Sequence, residues 1–196
     1  MTHFIKESAE PVDGKIINRH VASEVVFSRH FDCSPEELWE FVENPDLLVK
    51  WFGGDMKEWE LNANGGRFIL EIAPQWKTQC HSTILEYEKC RTLSFTWDVP
   101  AWGQSPNLFG TTIKIDVRPD ENGAKMRFIH VVPYETLRAP LLAAAWHLHL
   151  DGLEDLVSGK TTQAYKIDTA RLIDLTTRYS ENDAESRLDY LKAMFH

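Results

Sequence analysis

The chain has 196 residues, of which 43% are hydrophobic, and it carries a formal net charge of -9. This length fits one folded domain with extensions, because most domains span roughly 100 to 200 residues. The acidic charge and the lack of any stripe of Lys and Arg argue against a nucleic-acid partner, since that kind of binding depends on clustered basic side chains.

Hydropathy and cysteine spacing exclude further classes. No segment approaches the roughly 18 consecutive apolar residues of a membrane span, and the first residues, MTHFIKESAE, lack the layout of a secretory signal. We therefore expect no membrane span and a cytoplasmic location. Cys33, Cys80 and Cys90 include no CxxC pair, which favours buried free thiols over a disulfide framework or a zinc site.

The first predicted elements are a strand and two short helices. Period-two alternation predicts a strand within residues 22–32 whose apolar side carries Val25, Phe27 and Phe31. Ser34 and Glu37 have the spacing of a capping box, which predicts a helix over 35–43. A proline follows Asn44 and ends this helix, because the residue before proline leaves the helical region. A second short helix is predicted over 46–51.

A run of strands follows. The predicted strands cover residues 56–62, 67–73, 77–88, 92–99, 110–118 and 125–132. Leu93, Phe95, Trp97 and Val99 alternate with polar residues, as Thr111, Ile113, Ile115 and Val117 do. Alternation of this kind indicates an antiparallel sheet with one covered face and one face in water. Between the first two of these strands, Gly65 and Gly66 are expected to supply positive φ angles for a tight turn.

The cover of the sheet is predicted to be one long helix over residues 138–158. Its apolar stripe contains Leu142, Trp146, Leu150, Leu153 and Val157. We expect Trp146 and Leu150 to face the sheet and Gly159 to end the helix. The order of elements predicts an α+β fold in which a curved antiparallel sheet wraps around this helix. A hollow between sheet and helix would be the natural place for a ligand.

Two short helices are predicted near the end of the chain, within 162–179 and 183–196. The second has an apolar stripe of Leu188, Leu191 and Phe195. A lone helix of this length is marginal in water, so the stripe must dock. The stripe could dock on its own domain, on a second copy of the chain or on another partner. The first two outcomes are the commoner ones.

The sequence also resembles a known superfamily. The segments that carry the resemblance are FSRHFDCSPEELWEFVENPDLLVKWF, GGRF, STILEYEKCRTLSFTW, GTTIKIDV, KMRFIHV and AAWHLHLDGLEDLV. In order and spacing they resemble the SRPBCC or START-like superfamily, which has the Bet v 1-like helix-grip fold, and most closely its branch similar to the activator of heat-shock protein 90 ATPase. The resemblance covers residues 22–159, which leaves an N-terminal arm at 1–21 and a helical C-terminal extension at 160–196.

Strand phase and the resemblance together predict the lining of the hollow. We expect it to be bounded by Trp51, Phe68, Phe95, Trp97, Phe128, His130 and Trp146, of which Trp51 and Phe68 rest on the resemblance. Trp39 and Phe41 are predicted to be core residues. For Trp51, a place in the core and a place at the cavity rim are equally supported.

No catalytic motif is evident. His130 is predicted to point inward, either as a hydrogen-bonded core histidine or, less simply, as a catalytic group. His147 and His149 point roughly 200° apart on a helix, which makes a metal pair unfavourable, and His147 with Asp151 is interpreted as a solvated surface contact. Cys80 and its neighbour His81 lie on opposite faces of a strand. We expect no metal and no cofactor.

Three functions remain open. The first is a non-enzymatic domain that binds a hydrophobic small molecule, lipid-like or aromatic, in an apolar cavity. The second, implied by the resemblance alone, is a co-chaperone-like role towards an ATPase. The third is a cyclase-type enzyme using the same cavity, with His130 as its base. A homodimer through the C-terminal extension is a further expectation.

Overall fold

The computed structural model describes residues 13–19, 21–62, 66–73, 77–100, 109–133 and 139–194, with the backbone alone for Ala73 and for 185–194. The strands of this part are β1 (Lys15–Asn18), β2 (Ala22–Phe31), β3 (Asp55–Glu60), β4 (Arg67–Ala73), β5 (Thr78–Glu88), β6 (Thr92–Thr96), β7 (Thr112–Asp120) and β8 (Gly123–Pro133). The helices are α1 (Pro35–Glu43), α2 (Pro45–Phe52), α3 (Ala139–Val157) and α4 (Thr169–Met194). No helix in this part of the chain is long and apolar enough to cross a membrane.

All strands join one antiparallel sheet in the order β1-β2-β8-β7-β6-β5-β4-β3. The inward residues predicted from alternation are buried: Val25, Phe27, Phe31, Leu93, Phe95, Trp97, Val99, Thr111, Ile113, Ile115 and Val117. The predicted α+β helix-grip fold, a curved antiparallel sheet around a long helix, is confirmed.

Local sequence signals set the ends of the first two helices. The Glu37 backbone N–H donates to Ser34 Oγ at 3.2 Å, and the Ser34 N–H donates to Glu37 Oε2 at 2.8 Å, so the predicted capping box forms. Asn44 ends α1 and caps α2, because its side-chain oxygen accepts the Asp46 N–H at 3.0 Å. The helix predicted over 35–43 is thus confirmed.

The long helix α3 packs against the concave face of the sheet. The ring centroid of Trp146 lies 4.6 Å from that of Phe128 on β8, and Leu150 is buried. The prediction that Trp146 faces the sheet is confirmed. The helix α3 also buries Ala143, Ala144, His147 and Leu148. His147 is covered by α4, where it contacts Tyr179.

Helix α4 docks on its own domain through a polar network around two buried residues, Leu175 and Tyr179. The Gly14 N–H donates to Tyr179 Oη at 3.1 Å, and His147 Nδ1 lies 2.9 Å from the same oxygen. Asp151 on α3 binds Arg171 on α4, with 2.5 Å between Arg171 Nη2 and Asp151 Oδ2. The prediction of a solvated His147 is therefore wrong, since the side chain lies beneath α4.

Three further expectations need correction. Residues 15–18, placed in the N-terminal arm, form an edge strand of the sheet. The two short helices predicted at the end of the chain are one helix, because no proline or glycine interrupts 169–194. Gly66 has no positive φ, and its backbone instead passes so close to the Glu60 carbonyl that a Cβ would clash. Gly65 and Phe195 lie outside the described residues, as do the side chains of Leu188 and Leu191.

Candidate functional site

Side chains fill the centre of the space between sheet and α3. Phe68 and Phe95 make an edge-to-face contact with ring centroids 5.0 Å apart, and Phe128 and Trp51 are fully buried beside them. The Trp51 indole Nε1–H donates to the Phe41 carbonyl at 2.8 Å, which satisfies its polar group inside the core. The hollow expected from strand phase is therefore packed at its middle.

A cleft of about 470 Å³ opens at one end of this packed core. Its walls come from the end of α2, the residues after β6, the first half of α3 and the segment that leads to α4. The lining residues are Phe52, Gly53, Gly54, Ile72, Trp97, Val99, Leu142, Ala145, Trp146, His149, Tyr165, Lys166 and Ile167. These described residues are mostly apolar and include no carboxylate. A second cleft of similar volume, about 400 Å³, is instead lined by charged and polar side chains: Ser28, Asp116, Arg118, Lys125 and Arg127.

Three aromatic rings form one apolar wall of the cleft. The ring centroid of Phe52 lies 5.3 Å from that of Trp97 and 4.9 Å from that of Trp146. The Trp146 indole N–H is already used, because it donates to His130 Nδ1 at 2.9 Å. Trp146 therefore offers the cleft an apolar ring face, which suits another apolar or aromatic group.

The C-terminus of α2 is held by two segments that come much later in the chain. The backbone N–H of Tyr165 donates to the Lys50 carbonyl at 2.7 Å. His149 Nδ1 lies 2.7 Å from the Trp51 carbonyl oxygen. The last carbonyls of a helix lack partners within it, so these two contacts satisfy α2 and position Tyr165 and His149 at the cleft.

His149 is a neutral side chain in this arrangement. A carbonyl oxygen only accepts hydrogen bonds, so Nδ1 must carry the proton and donate it to Trp51. Burial lowers the pKa of His149 to about 4, against the weaker opposing effect of the bond to Trp51. Nε2 is then an acceptor, and among the described residues it has no hydrogen-bond partner.

His130 lies deeper and does not line the cleft. It is fully buried, and its Nδ1 accepts the Trp146 indole N–H. Burial lowers the pKa of His130 to about 3, so the ring is neutral at physiological pH. Its Nε2 has no hydrogen-bond partner within the described part of the chain. These observations match the predicted core histidine.

Tyr165 closes the outer side of the cleft by lying directly on α3. A Cβ built at Gly152 would come within 2.6 Å of the Tyr165 ring, so this close approach requires glycine. The Tyr165 ring also makes an edge contact with His149, with centroids 6.1 Å apart. The first residues of the C-terminal extension are therefore part of the cleft wall.

The predicted lining and the observed lining overlap at Trp97 and Trp146. The remaining predicted residues, Trp51, Phe68, Phe95, Phe128 and His130, lie in the core beside or beneath the cleft, and their role as ligand contacts stays a prediction. Of the residues missed, Leu142 belonged to the apolar stripe of α3. The sequence pattern relates His149 only to His147, two residues away, and does not indicate its place in the cleft.

The family model described as Activator of Hsp90 ATPase homolog 1-like protein matches residues 32–158, which is more than half of the chain. The chain belongs to the Activator of Hsp90 ATPase homolog 1-like family. This match confirms the resemblance drawn from the sequence. No curated protein matches the sequence.

Solved structures share the fold of this Activator of Hsp90 ATPase homolog 1-like chain. A conserved protein of unknown function from Enterococcus faecalis superposes with a TM-score of 0.70 at 19% identity, covering 88% of this chain and 91% of that one. CalU16 from Micromonospora echinospora gives a TM-score of 0.68 at 14% identity, covering 92% and 99%. A protein from Mesorhizobium loti gives a TM-score of 0.59 at 21% identity, covering 70% of this chain and 98% of that one. At these identities the likeness shows the fold alone.

The cleft of this Activator of Hsp90 ATPase homolog 1-like chain extends beyond the segment that the family model matches. Tyr165, Lys166 and Ile167 all follow residue 158, where the match ends. The aromatic wall and His149 belong to the matched segment. One wall of the cleft is thus contributed by the chain's own extension.

Proposed function

We propose that the chain is a binding domain for a hydrophobic small molecule, aromatic or lipid-like, which it holds without converting it. The observation that carries the proposal is the apolar cleft of about 470 Å³ between α2, α3 and the Tyr165 segment. Its volume lies within the range of roughly 300 to 1,000 Å³ that is usual for small-molecule sites. The lining is mostly apolar with few polar groups, which is typical of such sites.

A pair of variants on α3 tests this proposal. Ala145 lines the cleft, and replacing it by Phe fills the space without removing a polar partner. Leu141 on the same helix is exposed and is not part of the lining, so Leu141→Phe adds a ring elsewhere and serves as the matched control.

The measurement is a thermal-shift screen with hydrophobic ligands, supported by native mass spectrometry. We expect ligands that raise the melting temperature of the wild type and of Leu141→Phe, and no such shift in Ala145→Phe, because a ligand stabilises only a state that binds it. If no hydrophobic ligand shifts the wild type, or if Ala145→Phe responds like the wild type, the cleft is not the site.

A second candidate function follows from the family description, which names an activator of the Hsp90 ATPase. It would make the chain a co-chaperone-like partner of an ATPase that contacts its surface rather than its cleft. Stimulation of an Hsp90-type ATPase by the purified protein tests this role. Stimulation that persists in Ala145→Phe would support it and separate it from ligand binding.

Self-association through the C-terminal extension also stays a proposal. The first half of α4 is already buried on its own domain through Leu175 and Tyr179, so a dimer would use the later turns, where the sequence has Leu188 and Leu191. Light scattering of the wild type and of Leu188→Glu tests it. A dimer that becomes a monomer in the variant supports the proposal, and a monomeric wild type overturns it.

A further inference from the structure

The cleft presents one nitrogen that is prepared to accept a hydrogen bond. The Trp51 carbonyl holds the proton of His149 on Nδ1, with 2.7 Å between nitrogen and oxygen. This contact fixes both the tautomer and the orientation of the ring, and it leaves the lone pair of Nε2 available. Since His149 lines the cleft, a ligand there meets an acceptor whose character the protein has already determined.

The other polar side chains of the lining do not duplicate this role. The Trp146 indole N–H is bound to His130, and the Tyr165 hydroxyl interacts with the Arg171 guanidinium, a group that carries only donors. Lys166 carries only donors, and none of the described residues that line the cleft is an Asp or a Glu. A ligand with only acceptor groups would therefore leave Nε2 of His149 unsatisfied and desolvated, which is unfavourable.

The aromatic wall of the cleft indicates that the hydrogen-bond donor of the ligand is attached to an aromatic ring. The ring of His149 lies 5.4 Å from that of Trp146, measured between centroids and with 50° between the planes. Phe52 packs against the same indole at 4.9 Å. An aromatic ligand packed on this wall would therefore have its edge next to His149, where a substituent on the ring can reach Nε2.

We infer that the cleft selects a flat aromatic ligand bearing a hydroxyl group that donates its hydrogen bond to His149 Nε2. This inference rests on the proposed function and specifies the chemistry of its ligand. It makes His149 a specificity-determining residue and assigns the neutral phenol or aryl alcohol, rather than the ether or the hydrocarbon, as the preferred class.

Two probes of nearly the same shape test the inference, namely 2-naphthol and 2-methoxynaphthalene. Both present the same bicyclic ring, but the ether has no proton to donate. By isothermal titration calorimetry at pH 7.5 we expect the wild type to bind 2-naphthol about three- to tenfold more tightly than 2-methoxynaphthalene. This is the usual contribution of one neutral hydrogen bond to affinity. Equal affinity for the two probes, or a preference for the ether, overturns the inference.

His149→Asn provides the matched variant. An asparagine amide can still donate to the Trp51 carbonyl from about the position of Nδ1, but it has no group at the position of Nε2. We expect this variant to bind the two probes with equal affinity. Leu142→Ala removes apolar contact from the cleft wall and should weaken both probes by a similar factor, which keeps their ratio unchanged.

The outcomes separate this inference from the proposal on which it rests. If neither probe binds the wild type, the proposed function fails and the inference with it. If both probes bind, are weakened by Leu142→Ala and do not differ from one another, the binding function stands and the role of His149 is rejected. If His149→Asn fails to fold, the inference is tested by the wild type alone. Equal affinity of the wild type for 2-naphthol and 2-methoxynaphthalene then overturns it.

Discussion

Two neutral histidines lie next to the Trp146 indole and have different roles. The ring centroid of His130 lies 6.0 Å from the indole and that of His149 lies 5.4 Å from it. His130 accepts the indole N–H from inside the core, whereas His149 holds the end of α2 and lines the cleft. Residue type alone does not distinguish these roles, because they depend on which nitrogen is occupied.

Replacing His130 by Phe should lower stability and leave ligand affinity unchanged. The substitution roughly keeps the volume but leaves the buried Trp146 N–H without its acceptor, at a cost of about 1 to 3 kcal/mol. The measurement is the melting temperature together with the affinity for a cleft ligand. Weaker binding at an unchanged melting temperature would instead give His130 a role in the site.

Acid should destabilise the protein below about pH 6.5. Burial lowers the pKa of His130 to about 3 and of His149 to about 4, whereas the unfolded chain has ordinary histidines near 6.5. As the pH falls below 6.5 the unfolded state binds protons that the folded state does not, so the free energy of unfolding decreases. The stability present above pH 6.5 is lost progressively towards pH 4 and below.

Melting temperatures measured between pH 7 and pH 4.5 check this expectation. His130→Phe is the matched control, because it removes one of the two depressed groups. The variant should lose fewer degrees than the wild type over the same pH interval. An equal loss in both proteins would assign the acid sensitivity to other groups, carboxylates included.

At the scale of elements, the sequence was informative wherever one face of an element is buried and the other is not. Alternation located the inward residues of β6 and β7, and the Ser34 capping box located the start of α1. Prediction from the sequence pattern failed where contacts with distant segments determine the structure. Strand β1 has only four residues and no alternation to detect, and Arg29, at an inward position of β2, is stabilised by Asp151 and Asp13 from distant segments.

The contact between Tyr165 and α3 makes an element-scale prediction. In a helix, Gly to Ala normally stabilises by about 1 kcal/mol, but at Gly152 the new methyl group would overlap the Tyr165 ring. We expect Gly152→Ala to lower the melting temperature and to weaken ligand binding, because it pushes a wall of the cleft outward.

A double-mutant cycle with Tyr165→Gly checks the cause of that effect. Once the Tyr165 side chain is removed, Gly152→Ala should be neutral or stabilising, and the difference between the two backgrounds measures the contact. If Gly152→Ala destabilises equally in both backgrounds, the clash with Tyr165 is not responsible.

At the scale of the whole molecule, the location of the cleft depends on how much space large side chains leave. The sequence correctly indicated an apolar interior between sheet and α3, but Phe68, Phe95 and Phe128 fill its centre. The open part lies where α2, α3 and the extension meet. Strand and helix phase predict the direction of a side chain and not the volume that remains, so this position could not be derived from periodicity.

Shortening the chain to end at Gly159 should destabilise the domain and abolish binding at the cleft. The removed part contains Tyr165, which forms a cleft wall, and Tyr179, which is buried against His147 and Gly14. Loss of these contacts uncovers the outer face of α3. Thermal unfolding and ligand titration of the shortened chain test this. If the shortened chain has the melting temperature and the ligand affinity of the wild type, the extension is dispensable. The predicted domain limits of 22–159 are tested by the same experiment.

The hydrogen bond from the Tyr165 backbone N–H to the Lys50 carbonyl also has a consequence for dynamics. Its donor and acceptor are separated by more than half of the chain, so the bond exists only while α2, α3 and the start of the extension are assembled. The Tyr165 amide lies outside any helix or strand, where rapid exchange with solvent deuterium is the usual behaviour. Slow exchange at this single position would therefore report the closed state of the cleft, and its rate would give the free energy of opening.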